Sequence, residues 1–169
     1  MRCKKFYLLV FAIIGITFSC RFKNVGSSEE IKYSWYKWDS LTSYTDGILS
    51  DSIYSNTRVL QYLECDSSLF FRLEVRIKPD TMLLLNGEPL IEKDNKQFLI
   101  NGMPVDIHKY YYGNEKYYHE DGFVFINFSI GLIGINFHHA GLSFFPERKY
   151  ISEGIKDTLL QAKNRSFFE

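Results

Sequence analysis

The stretch LFFRLEVRIK, residues 69–78, sets the fold class of this chain. Leu69, Phe71, Leu73, Val75 and Ile77 alternate with Arg72, Glu74, Arg76 and Lys78. Successive side chains of a strand point to opposite faces, so a period of two over this length predicts a strand with one face on a core and the other in water. Upstream, Asp66-Ser67-Ser68 separates it from the apolar run VLQYLEC, residues 59–65, which predicts a hairpin. Downstream, Pro79-Asp80 turns the chain into TMLLL, residues 81–85.

Working outward, LLNGEPLI (84–91) returns fifteen residues later as LINGMPVD (99–106). Each copy carries Asn-Gly between apolar residues, the strongest short signal for a two-residue hairpin turn, because both turn positions need positive φ. Pro89 and Pro104 cannot donate a ladder hydrogen bond, which predicts edge positions or irregular pairing. Residues 92–96 between the copies read as a charged turn. Two copies are too few for a solenoid, where about three or more are expected.

YYYGNEKYYHEDGF, residues 110–123, has five tyrosines around a Gly113-Asn114 turn signal and fits a further hairpin. FVFINFSI, residues 123–130, is apolar on both faces apart from Asn127 and Ser129, as a central strand would be. Gly131 and Gly134 predict a bend or bulge before one or two strands in INFHHAGLSFF (135–145). Toward the N-terminus, IKYSWYKW (31–38) suits a first strand, and residues 39–57, rich in Ser, Thr, Asp and Asn, read as mostly loop.

From Ser152 the period changes. Ile151, Ile155 and Leu159 recur at four-residue spacing, Glu153 lies in the first turn, and Lys163 and Arg165 stand near the end. This predicts one amphipathic helix over 152–166 packed on the sheet. Its polar face is mixed in charge, unlike the basic face of a membrane-surface helix. The predicted fold is mainly β (α+β): an antiparallel meander or sandwich-like sheet with one C-terminal amphipathic helix.

The first twenty residues, MRCKKFYLLVFAIIGITFSC, address the chain rather than fold it. Arg2, Lys4 and Lys5 precede an apolar run from Phe6 to Phe18, and small Ser19 stands before Cys20. These are the parts of a secretory signal, and the run is shorter than the ~18 residues a spanning helix needs. Ending at Cys20, the segment resembles a relaxed lipobox of bacterial lipoproteins, with Thr17 where that family favours Leu. The resemblance covers residues 1–20 only. It implies cleavage after residue 19, a lipid on the Cys20 sulfur and acylation of the new terminus. Arg21 stands where that family's inner-membrane retention signal would place Asp, which points to the outer membrane. Residues 20–30, including RFKNVGSSEE (21–30), then read as lipidated cysteine and flexible tether, and 31–169 as a single domain.

The whole chain balances 20 basic against 20 acidic side chains, and removal of residues 1–19 leaves 17 against 20 in 150 residues. No basic excess suggests a nucleic-acid partner. A hydrophobic content of 46% with 17% aromatics suits one folded core. Beyond Cys3 and Cys20 the only thiol is Cys65, so no intramolecular disulfide is available to the mature chain. Closing VLQYLEC, Cys65 reads as a small buried hydrophobe rather than a reactive group.

His138-His139 is the most tempting chemical pair, but adjacent strand residues face opposite ways and do not share one metal easily. His119 with Glu120 and Asp121 adds only loop candidates. No H-E-x-x-H, paired C-x-x-C, G-x-S-x-G or phosphate-binding glycine loop occurs, so the reading assigns no catalytic residue, metal or cofactor. The tyrosines are the better hint. Tyrosine is a good strand former beside a wet face, and it is also favoured at contacts; Tyr110, Tyr112, Tyr117 and Tyr118 are therefore candidates for a contact surface. Trp35 and Trp38 add aromatic area elsewhere. The expected work is non-catalytic binding of an envelope protein or glycan by a membrane-held domain of unspecified oligomeric state. The alternatives are an envelope hydrolase using His138 or His139 with a nearby carboxylate, and a structural component of an envelope assembly.

Overall fold

The computed structural model describes residues 25–38, 40–76, 81–113, 121–138, 140–148 and 152–168. Eleven strands form one antiparallel sheet: β1 Val25–Lys37, β2 Ser40–Tyr54, β3 Thr57–Glu64, β4 Leu69–Arg76, β5 Met82–Leu85, β6 Glu88–Pro89, β7 Ile91–Ile100, β8 Met103–Tyr112, β9 Gly122–Asn127, β10 Gly131–Phe137 and β11 Leu142–Glu147. A helix, α1 (Ser152–Leu160), a 3₁₀ turn (Ala162–Asn164) and a short helix, α2 (Arg165–Phe168), follow. The mainly β class, the meander and the helical cover all appear.

The strand order is β6-β5-β4-β3-β2-β1-β11-β10-β9-β8-β7, so the first and last strands pair and the meander curls round on itself. Its two ends, β6 and β7, are separated only by Leu90, whose N–H still donates to the Leu83 carbonyl at 2.9 Å. One continuous run thus pairs first with β5 and then, from Ile91 opposite Tyr111, with β8. Two faces do pack on each other, but they belong to one near-barrel sheet.

Side-chain alternation divides the molecule into an interior and an outer layer. Tyr33, Leu49, Leu60, Tyr62, Leu73, Val124, Ile126, Ile135 and Phe144 fill the interior. Phe125, Ile133 and Phe145, their neighbours on the other face of β9–β11, lie under Ile155, Leu159, Phe167 and Phe168 of the helices. Of the strand expected over 123–130, only residues up to Asn127 belong to β9, with apolar side chains on both faces; Phe128 and Ser129 are exposed in the turn that follows.

The local signals are met where geometry is local. Asn86 and Gly87 have φ of 53° and 88°, and Asn101 and Gly102 have 51° and 79°, as the tight hairpin turns require. Pro89 lies in edge strand β6, and Pro104 pairs with Leu99 on the part of β8 that β9 does not reach. The register of β10 slips between Leu132 and Gly134, the bulge expected from the glycines.

Several expectations are corrected. Residues 40–54 are not loop but the longest strand, whose polar side chains face water while β1 and β3 supply its ladder. A Cβ at Gly47 in β2 would overlap the Tyr33 ring and the Leu63 carbonyl. Residues 92–96 are part of β7, an exposed strand whose charges suit a sheet margin. The first strand begins at Val25 rather than at residue 31, so six residues read as tether pair with β2 from Val25 opposite Ile53 to Glu30 opposite Ile48.

The helix predicted over 152–166 breaks at Gln161. Buried Asn164 donates from its amide to the Thr158 carbonyl at 2.7 Å and from its backbone N–H to Gln161 at 2.8 Å. The chain turns there so that Phe167 and Phe168 reach Phe98, Phe125 and Phe145. Leu69 is 51% exposed despite its place in the alternation. A register shift in the β3–β4 pair sets Phe71 opposite Tyr62 and Leu69 opposite Leu63, so Phe70 has no counterpart. Phe70 and Phe71 both pack on the interior as a result. Cys65 lies one residue beyond β3 in the turn and is exposed; its thiol donates to the Asp46 carbonyl at 3.2 Å.

Candidate functional site

Because neighbouring strands are antiparallel, the connections fall at two ends. The near end holds the start of β1 and the β2–β3, β7–β8 and β9–β10 turns; the far end holds the β1–β2, β3–β4 and β10–β11 turns.

At the near end the described turns are tied to the barrel wall. The β9–β10 turn is held by Arg58 of β3, which donates to the Phe128 carbonyl at 2.8 Å and forms an ion pair with Asp51 at 2.7 Å. The hydrogen bond to the Asp51 carboxylate raises the Arg58 pKa against the lowering effect of burial. Arg148 donates to the Ile130 carbonyl at 2.6 Å and pairs with Glu29. Deeper, the Tyr62 hydroxyl accepts the Leu132 N–H at 2.8 Å. Gly131, at φ 101°, places its Cα against Leu60 and Tyr62, where a Cβ would come within 2.9 Å of the tyrosine oxygen.

The far end is aromatic. Trp35, Phe70, Phe71 and Phe137 are half-buried around fully buried Phe144. Trp35 and Phe71 have ring centroids 4.8 Å and 4.9 Å from Phe144, and Phe71 continues to Phe137 at 6.5 Å. On the rim, Trp38 is 71% exposed at φ 49°, with its N–H donating to the Gly141 carbonyl at 2.9 Å. A Cβ on Gly141 would lie 2.5 Å from the Trp38 indole, so the β10–β11 turn supports this ring closely. Flat aromatic faces at a barrel end can stack on sugar rings or receive apolar side chains.

The structure separates the predicted tyrosines. Tyr110 and Tyr112 are each only 6% exposed and belong to the interior, so their rings form wall rather than contact surface. Burial, then the nearby Glu92 carboxylate, pushes the Tyr110 hydroxyl up to about 12. Tyr117, Tyr118, His119, His139 and Cys20 lie outside the described residues. His138 is exposed in the β10–β11 turn, not on a strand. Among the described residues no group of three His, Cys, Asp or Glu side chains is placed to hold a metal. Nor is any described helix long and apolar enough to cross a membrane, which says nothing of strands.

The aromatic far end is not legible in the sequence. Trp35, Phe70, Phe71 and Phe137 come from three distant segments, and the only sequence signal was the excess of aromatics. No family model, curated protein or solved structure matches this chain.

Proposed function

We propose that the chain is a lipid-anchored cell-envelope protein, held through Cys20 at the outer membrane, that works as a non-catalytic binding module for an envelope protein or glycan. The anchor rests on the resemblance of residues 1–20 to a lipoprotein signal. The observation that carries the binding reading is the aromatic far end, with half-buried Trp35, Phe70, Phe71 and Phe137 and exposed Trp38 at the end opposite the start of β1. Such rings offer rigid contact area at low entropic cost, and a partner would cover apolar surface now in water.

Metabolic labelling with a tagged fatty acid, native protein against Cys20→Ala, tests the anchor: label should enter the first and be absent from the second. Binding is tested by capturing envelope proteins and glycan fragments on the native chain and on Trp38→Ala/Phe70→Ala. A partner held equally by both would remove the aromatic far end as its contact surface.

A further inference from the structure

We infer that the near end of the barrel seats on the leaflet that holds the Cys20 lipid, turning the aromatic far end away from the membrane; this rests on the lipid anchor proposed above.

The argument starts from reach. Read as a tether to residue 30, the link would extend to ~35 Å, but β1 already begins at Val25, beside Ile53. Four residues separate Cys20 from Val25, which span at most about 17 Å when extended. The end of the barrel where β1 begins is therefore the end confined to the membrane.

Among the described residues, that same end carries six of the eleven exposed large apolar side chains. Ile53 and Tyr54 stand at the β2–β3 turn, Met82 at the start of β5, Leu99 and Met103 beside the β7–β8 turn, and Phe128 in the β9–β10 turn. Their exposures run from 41% for Phe128 to 74% for Leu99. The turns are tied together: Arg58, opposite Ile53, holds the Phe128 carbonyl, and Met82 pairs with Arg76, itself opposite Thr57. Behind these apolar tips the interior is bridged by the hydrogen bond from the Leu132 N–H to the Tyr62 hydroxyl. Apolar side chains on several turns at one end, next to an acyl anchor, are suited to the headgroup and upper acyl region of a leaflet.

The test uses the acylated protein in phosphatidylcholine vesicles whose acyl chains carry bromine, a contact quencher of tryptophan. Leu99→Trp and Phe128→Trp place reporters on two separate near-end turns, while Trp35 and Trp38 report from the far end. Both positions are exposed, and the two variants keep the test readable if one disturbs folding. Bromine should remove most of the added emission and leave the emission of the unsubstituted chain unchanged. Unquenched reporters in an acylated, vesicle-bound protein would overturn the seating while the anchor stands. Quenching of the unsubstituted chain with unquenched reporters would reverse the orientation and overturn it as well. A protein whose mass shows no acyl group on Cys20 would bring down the anchor and the seating together.

Discussion

The Tyr62 hydroxyl accepts the Leu132 N–H at 2.8 Å across the barrel, linking β3 to β10, which are not neighbours in the sheet. The bond meets the bulge that Gly131 and Gly134 introduce, so one side chain satisfies a backbone donor that the register slip would otherwise strand. Tyr62→Phe should keep the fold and lower stability by about 1–3 kcal/mol, the cost of a buried donor without a partner. Gly131→Ala should lose more, because φ of 101° and contact with Leu60 act together. Urea denaturation of both variants measures this, and an unchanged midpoint for Tyr62→Phe would remove the bond from the account of stability.

Alkaline pH should loosen the interior. Burial raises the pKa of Tyr33 and Tyr62 well above the ordinary tyrosine value, and that of Tyr110 to about 12. The unfolded chain releases these protons first, near pH ~10, while the folded chain retains them. Their contribution is complete below pH ~10 and falls as pH rises above it. Urea midpoints compared at pH 8 and pH 11 should fall at the higher value; a flat profile would mean that these hydroxyls titrate as in the unfolded chain.

The helical cover is fastened by Glu147. Its Oε1 accepts from Ser34 at 2.7 Å and from Lys156 of α1 at 2.5 Å. Burial alone would lower the Lys156 pKa, but hydrogen bonds to Glu147 and Tyr36 raise it overall. Glu147→Gln should cost about 1–3 kcal/mol and speed hydrogen exchange in α1 before β9. Equal exchange in native and variant protein would show that the aromatic contacts hold the helices unaided.

A soluble domain should not start at residue 31. Residues 25–30 pair with β2, and Glu29 also pairs with Arg148. Removing them should lower Tm by roughly 5 °C relative to a chain starting at Arg21, as a loss of ~2 kcal/mol does in a domain of this size. Equal Tm values would return residues 25–30 to the role of tether.

Much of the fold is legible where one stretch carries the cause. The Asn-Gly pairs declare their hairpins because few residue pairs accept positive φ twice. Residues 123–127 declare a central strand because both faces are apolar, whereas 128–130, read as its continuation, are turn. By contrast, β2 reads as loop since Leu49 is its one fully buried large side chain and its neighbours supply the order. Leu69 and Cys65 mislead for a related reason: a one-residue bulge, or one step past a strand end, reverses burial without altering composition.

The site follows the same division. By itself the sequence determined the mainly β class, the two Asn-Gly hairpin turns, the bulge glycines and the mixed helical face, because φ preference and periodicity act within a few residues. Only the tertiary structure decided that β1 meets β11, that the run across Leu90 joins the two margins, and that Tyr110 and Tyr112 point inward. It alone gathered Trp35, Phe70, Phe71 and Phe137 around Phe144. The physical reason is that closing a sheet pairs residues more than a hundred positions apart, and which face becomes the interior is set by that closure, not by any one strand.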